Sequence, residues 1–411
     1  MAVLVLKFGG TSVANPERIQ NAAKKVKAEL DLGHKVVVVV SAMSGVTNQL
    51  VDYVRSITPS YDPSEYDVVV ASGEQVTSGL MALALQQLDV KARSYQGWQI
   101  PFYTSDSHEK ARIDDIDTKL LNECFKNGIT PVIPGFQGVT RGGRIATLGR
   151  GGSDTSAVAI AAALKADRCD IYTDVNGIYT SDPRLVQKAK KINRIAYEEM
   201  LELASLGSKV LQTRSVELAM NFKVPVQVLS TFDAALGSDL PGTFLVGEDV
   251  MMEQQMVTGL AHSRDEARIT LTNVEDKPGM LARIFGPLAA ANINVDMIVQ
   301  AASDDGKTVD VTFTVPRSDL LRASEALTGS QKEIAYKELQ TSKDVVKISV
   351  VGVGMRSHAG VGQMMFKALA EKGINIQVVS TSEIKISVLI EEAYTELALR
   401  TLHTTYNLDA A

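Results

Sequence analysis

The sequence predicts an α/β protein: a large three-layer domain on a mainly parallel sheet, followed by two small α+β modules. Short apolar runs alternate with amphipathic helical stretches over about the first 245 residues, the runs are continuous rather than alternating, and the last third contains an internal repeat. Continuous apolar strands are required when helices cover both faces of a sheet, because every side chain is then buried. At 411 residues the chain predicts two or three domains, each with its own core.

In chain order, VLVL (3–6), KVVVVV (35–40), DVVVA (67–71), TPVIP (130–134), DIYTD (170–174) and VPVQVL (224–229) read as buried strands. Asn15 caps the first helix and Pro16 suits its first turn. Ile19, Ala22, Ala23, Val26 and Leu30 form its apolar stripe, and Gly33 ends it. The pattern loosens at LPGTFLVGEDVMMEQQM (240–256). Beyond it, PGMLARIFGPLAAANINVDMIVQ (278–300) aligns without gaps on AGVGQMMFKALAEKGINIQVVST (359–381), a constant offset of 359 − 278 = 81 residues. Gly279/Gly360, Phe285/Phe366, Leu288/Leu369, Ala289/Ala370, Ile293/Ile374 and Asn294/Asn375 are identical pairs. Each copy reads strand, glycine loop, helix, strand, and runs on into VDVTFTV (309–315) or IKISVLI (384–390). The boundaries that follow are 1–245 for the large domain, 246–264 for a linker able to supply an extra strand to the tail, and 265–340 and 341–411 for the modules.

A net charge of -6 with 45% hydrophobic and 22% charged residues describes an ordinary globular protein and disfavours nucleic acid as a partner. Cys124 and Cys169 are too few for a disulfide framework or a zinc site, so a reduced, cytoplasmic location fits. The longest apolar segment, Ala157 to Leu164, is far short of a membrane span, and no targeting signal stands out. The five histidines show no ligand spacing, so no dedicated metal site is expected.

Chemistry concentrates in two glycine loops. KFGGTS ends the first strand on Lys7, Gly9 and Gly10; this is either a tight turn with a solvated cation or a phosphate cradle with a fixed charge. TLGRGGSDTSAVAIAAAL (147–164) places Gly149, Arg150, Gly151, Gly152, Ser153 and Asp154 at the start of an Ala-rich helix, a natural anion site, although Ser153 or Asp154 as a plain N-cap also fits. Neither loop is a Walker A, and the nearest dinucleotide lookalike, VVGVGMRS (350–357), has Ser357 where the third glycine belongs. Glu74 in SGEQ reads locally as a helix-start glutamate, and Asn176-Gly177, between two β-like runs, as a hairpin turn.

Together KFGGTSV, VVSAMSGVTN (39–48), SGEQ (72–75), GRGGSD (149–154), TDVNGIYTSDPR (173–184) and the doubled tail resemble the aspartokinases of the amino acid kinase family, with tandem ACT regulatory domains. The resemblance spans essentially the whole chain. It implies the amino acid kinase fold followed by two ferredoxin-like ACT modules, and transfer of phosphoryl from ATP, with Mg2+, to the β-carboxylate of L-aspartate. That carboxylate, of ordinary pKa about 3.9, attacks without a general base, so charge neutralisation is what the protein must supply. By resemblance Lys7 and Asp154 are catalytic, and Gly9, Gly10, Gly151 and Gly152 form the phosphate loops, with Gly9 and Gly10 presenting backbone donors. Ser41, Thr47, Glu74, Arg150 and Ser153 hold the amino acid; Thr173, Asp174, Tyr179 and Asp182 surround adenine and ribose; Arg184 and Lys209 reach the phosphates. Effector candidates are Asp276, Gly279, Asp296 and Gln300 in the first ACT copy and Asn375, Ile376, Ser382 and Glu383 in the second, where Ser357 and Gln377 replace the acidic Asp276 and Asp296. Lysine, threonine or both are the implied inhibitors, and paired ACT modules imply a homo-oligomer. Translation from Met251 or Met252 would add a regulatory subunit, and the same run also reads as an ordinary interdomain linker with three methionines. The alternatives are another amino acid kinase, acting on glutamate or acetylglutamate, and a catalytically silent sensor. SAMSGVTN and the ACT tail argue against the first, and the presence of Lys7, Glu74, Arg150 and Asp154 against the second.

Overall fold

The computed structural model describes residues 1–208, 210–233, 241–248, 256–303 and 306–409. They divide into two compact units, Met1–Ile178 with Lys191–Ser205 and Lys209–Met252, and Tyr179–Lys190 with Leu206–Ser208 and Glu253–Ala411. The segment 179–190 thus belongs to the second unit, although the sequence places it inside a continuous 1–245 domain.

In the first unit, eight strands form one sheet in the order Arg194–Ala196, Thr243–Val246, Val226–Ser230, Arg168–Thr173, Val3–Phe8, Lys35–Val40, Thr130–Pro134, Ala92–Ser94. Every pairing is parallel except that of Val226–Ser230 with Thr243–Val246. Alternation along Val3–Phe8 sorts its side chains: Leu4, Leu6 and Phe8 pack with Ile19, Ala22 and Val26 of the Pro16–Asp31 helix and with Met81 and Leu85 of the Ser72–Gln86 helix. Lys7 therefore points to the opposite face, which the Gly152–Leu164 helix covers. Asn15 caps the first helix by accepting from the Arg18 N–H, with Pro16 at its start and Gly33 beyond its end at φ +83°. A smaller sheet, Ile113–Ile116, Phe102–Thr104, Gln137–Thr140 and Ile145–Thr147, completes the unit.

Two segments differ from their reading as sequence. DVVVA (67–71) lies mostly in a helix, Pro63–Val70, started by the Asp62 carboxylate, which accepts from the Ser64 N–H at 2.7 Å, and by Pro63. Four apolar residues in a row do not distinguish a buried strand from a buried helix turn, and the Asp-Pro start decides it. Asn176-Gly177 makes no hairpin, because Arg168–Thr173 is already paired in parallel on both sides, with Val3–Phe8 and Val226–Ser230.

The second unit holds two four-stranded antiparallel sheets. One orders Asp296–Ala302, Thr308–Val315, Ala267–Glu275, Glu338–Ser342 under helices Met280–Ala290 and Leu320–Gly329. The other orders Gly259–Ser263, Val345–Val351, Lys385–Glu391, Val378–Thr381 with helices Val361–Glu371 and Thr395–Thr405. The stretch read as a linker thus contains a strand of the second module, and the first module is inserted between that strand and the rest. The repeat extends to the backbone, including a position where the residue type differs. Gly279 and Gly360 cap their helices at φ +86° and +93°, and Asn292 and Gly373 follow them at φ +54° and +68°.

Candidate active site

The parallel register aligns Phe8 with Val40 and Tyr172, Val40 with Pro134, and Thr173 with Ser230. The residues that follow each strand, Gly9-Gly10, Ser41, Gly135, Asp174 and Thr231, therefore gather along one carboxyl edge, where open α/β sheets bind ligands.

Lys7 stands one residue inside that edge, 8% exposed, and its Nζ lies 2.5 Å from Oδ1 of Asp154, itself 7% exposed. The contact is ionic: Asp154 Oδ1 receives no aligned hydrogen bond among the described residues. Asp154 sits in the first turn of the Gly152–Leu164 helix, whose cap, Gly151, adopts φ +72°. A Cβ on Gly151 would lie 1.8 Å from Gln212 Cγ, so both backbone and space call for glycine. The cation is thus fixed by an anion on a helix start rather than left in solvent.

The glycines divide by function. Gly9 is not a free donor, contrary to the expectation for it: its N–H donates to the Tyr172 carbonyl at 3.0 Å. A Cβ there would stand in ordinary contact with Lys7 Nζ, at 3.5 Å. The Gly152 N–H likewise donates to the Gly149 carbonyl at 3.0 Å. Gly10 and Gly151 show no such bond among the described residues, which leaves their N–H groups for a ligand.

Glu74, 3% exposed, projects from the Ser72–Gln86 helix. Its Oε1 accepts from the Ala42 N–H at 3.0 Å, next to Ser41, while its Oε2 is buried without a partner among the described residues. Burial pushes its carboxyl up to about 7, against the opposing pull of the Ala42 N–H and the Lys7 charge. A buried carboxylate with an open oxygen beside a lysine is built to receive a cation. Arg150 is exposed, between Gly149 at φ +79° and Gly151, and makes no ion pair among the described residues. Ser153 is half-buried in the first helical turn, and Thr47 is the second residue of the Val46–Ile57 helix.

Of the nucleotide candidates, Thr173 ends its strand and its hydroxyl donates to Asp174 at 3.3 Å. Tyr179, Asp182 and Arg184 belong to the second unit, where Arg184 forks onto Asp182 at 3.0 and 2.8 Å and holds that carboxyl below its usual range. The two side chains neutralise each other. Lys209 lies outside the described residues.

Among the effector candidates, Asp276, Gly279 and Gln300 line one cavity of about 440 Å³. Asp296 does not line it: its carboxylate takes Lys347 Nζ at 2.6 Å, and Lys347 also holds Glu266 at 2.7 Å. In the second copy Glu383 pairs with Arg356 at 3.4 Å, the Ser382 N–H donates to the Lys385 carbonyl, Asn375 is exposed and Ile376 half-buried.

Sequence reasoning missed Gly135, whose Cβ would lie 2.9 Å from Ser153 Cα, and Phe136, a non-glycine at φ +70°. The glycines that flank Phe136 in PGFQG, directly after a strand, were the available signal. It also missed Ser12, whose hydroxyl lies 2.5 Å from that of Thr231 at the same edge.

Two glycine loops, a buried lysine–aspartate pair and an open carboxylate at the strand ends, followed by two βαββαβ-like modules, define a phosphotransferase of small acids with a regulatory tail. Residues 2–230 match the amino acid kinase family model, and residues 268–329 and 348–406 each match an ACT domain model. The chain belongs to the amino acid kinase family. Its full-length relatives are aspartate kinases: one from Pseudomonas putida is 52% identical over 411 residues, covering 100% of this chain and 98% of its own. An aspartokinase of Helicobacter pylori is 46% identical, covering 99% and 100%. Among solved structures, E. coli aspartokinase III in complex with aspartate and ADP is similar at TM-score 0.80 and 28% identity, covering 98% of this chain and 99% of that one. The same enzyme in complex with lysine and aspartate gives 0.77 at 28% identity, over 98% and 99%.

Proposed function

We propose that the chain is an aspartate kinase, transferring the γ-phosphoryl group of MgATP to the β-carboxylate of L-aspartate to give 4-phospho-L-aspartate and ADP. This is the first step of aspartate-family amino acid synthesis. The observation that carries the reading is the buried Lys7–Asp154 pair beside Glu74, which keeps one carboxylate oxygen open. Full-length aspartate kinase relatives support the substrate.

The attacking carboxylate is already ionised, so no base is assigned. Lys7, oriented by Asp154, meets the charge that builds on the phosphoryl oxygens in flight. Glu74 Oε2 receives the substrate ammonium, Arg150 forks onto the α-carboxylate, and the hydroxyls of Ser41, Thr47 and Ser153 complete the amino-acid contacts. The N–H groups of Gly10 and Gly151 face the anions. Thr173, Asp174, Tyr179, Asp182, Arg184 and Lys209 are assigned to the nucleotide, with Arg184 leaving Asp182 for phosphate when ATP binds. Magnesium would be carried by the phosphates of ATP, where it would supply charge neutralisation.

Regulation is assigned to the ACT modules, with lysine, threonine or both as effectors in the cavity of Asp276, Gly279 and Gln300. Asn375, Ile376, Ser382 and Glu383 are the corresponding candidates in the second copy, and Asp296 acts through Lys347. The modules are also assigned to homo-oligomer formation. Two free buried cysteines suit a cytoplasmic location. The internal start at Met251 or Met252 lies outside the described residues. A coupled ADP-release assay with aspartate, glutamate and N-acetylglutamate tests the assignment: turnover with aspartate alone supports it, and turnover with either of the others overturns it.

A further inference from the structure

The Pro63–Val70 helix buries one charged side chain completely. Asp67 is 0% exposed, and its two oxygens accept from His108 Nδ1 at 2.7 Å, the Glu109 N–H at 3.1 and 3.2 Å, the Thr147 N–H at 3.0 Å and the Thr147 hydroxyl at 2.5 Å. A buried carboxylate is tolerated only with such a full set of donors. Thr147 leads directly into the glycine loop, and the segment of His108 and Glu109 packs against that loop at Gly149.

Thr147 is followed by Leu148, whose carbonyl accepts from Arg214 Nη1 at 2.9 Å, while Nη2 of the same guanidinium binds the Ala111 carbonyl at 2.9 Å. Gly149 comes next, so close to the 106–111 segment that a Cβ would stand 3.0 Å from the Glu109 carbonyl. Arg150 follows. The path of the chain into Arg150 is therefore fixed at consecutive residues by Asp67 and Arg214. On its other side Asp67 belongs to the helix that runs through Ala71 directly into Ser72–Gln86, the helix of Glu74. The Ala71 carbonyl is held by Gln137 Nε2 at 2.8 Å.

We propose that Asp67, with Thr147 and His108 as its donors, is a positioning residue for the amino-acid substrate: it sets the separation between the cation of Arg150 and the anion of Glu74. The proposal rests on the assignment of those two residues to aspartate. Asp67→Asn tests it bluntly and risks the fold, so Thr147 carries the discriminating pair. Thr147→Val keeps the volume and removes the hydroxyl donor, whereas Thr147→Ser keeps the hydroxyl and removes a methyl.

Measured on the full chain, Thr147→Val should raise KM for aspartate about tenfold and leave KM for ATP within about twofold, while Thr147→Ser stays near wild type. A purely packing role gives the reverse order, with Ser worse than Val, and overturns the proposal. So does a rise of both KM values together in Thr147→Val. Arg150→Ala is the control for the underlying assignment, and unchanged KM for aspartate in that variant overturns the assignment itself.

Discussion

Lys7 occupies a position that costs stability unless its charge is matched, since a buried ammonium is penalised by desolvation, and Asp154 at 2.5 Å supplies the match. Lys7→Met should lower kcat by roughly 10²–10³ with the fold retained, the loss expected for one preorganised charge at a transition state. Steady-state kinetics alongside circular dichroism checks both halves. Glu74 yields a pH prediction. Its carboxyl titrates at about 7 in the free protein, and only the ionised form attracts an ammonium. KM for aspartate should therefore fall as pH rises from 6 to 8, approaching tenfold per unit below about 7 and levelling above it. Aspartate binding should release a proton near neutrality. Glu74→Gln should remove both effects, which calorimetry in buffers of different ionisation enthalpy detects; proton release that persists in the variant assigns the titration elsewhere.

The Gly152–Leu164 helix carries Ser153 and Asp154 in its first turn and is buried along most of its length, so its start can move only if its neighbours do. Gly135 is a close neighbour, at 2.9 Å from both Ser153 Cα and Cβ for an added methyl. Gly135→Ala should push Ser153 and Asp154 away from Lys7 and lower kcat/KM for aspartate by about 10²-fold, while far-ultraviolet dichroism is kept. An unchanged kcat/KM would show that the helix start tolerates displacement. These contacts also mark what was legible beforehand. The five continuous strands of the main sheet, the capped first helix and the glycine-started Ala-rich helix were readable, because each rests on local residue chemistry. The helix over DVVVA was not, because its start signal, Asp62-Pro63, precedes the apolar run, and Asp67 looked like a strand terminus when it is an inward-facing anchor. Gly9 is legible as necessary but not for its reason, since the partner of its N–H, the Tyr172 carbonyl, lies 172 − 9 = 163 residues away in sequence. The Ser12 hydroxyl reaches the same carbonyl at 3.3 Å.

Across the chain, the repeat in the second unit is legible at 278–300 and 359–381, and the extra strand expected from 246–264 is Gly259–Ser263, although the module it completes is not legible. A strand that skips over an entire inserted module carries no local sign of its partner. Lys347, buried between Glu266 and Asp296, supplies internally the cation that Asp296 was expected to receive from an effector. Asp276→Ala should therefore raise the half-inhibitory concentration of the effector about tenfold or more, with uninhibited activity retained, and Asp296→Ala should raise it less. Inhibition curves with lysine and threonine on the two variants decide the order. The central claim is that Lys7, held by Asp154, drives phosphoryl transfer to aspartate. Its most direct measurement is aspartate-dependent ADP release by the wild-type chain and by folded Lys7→Met. Strong release by the first and a loss of about 10² or more in the second is the predicted result; no aspartate-dependent release by wild type, or near-equal rates in the two, would contradict it.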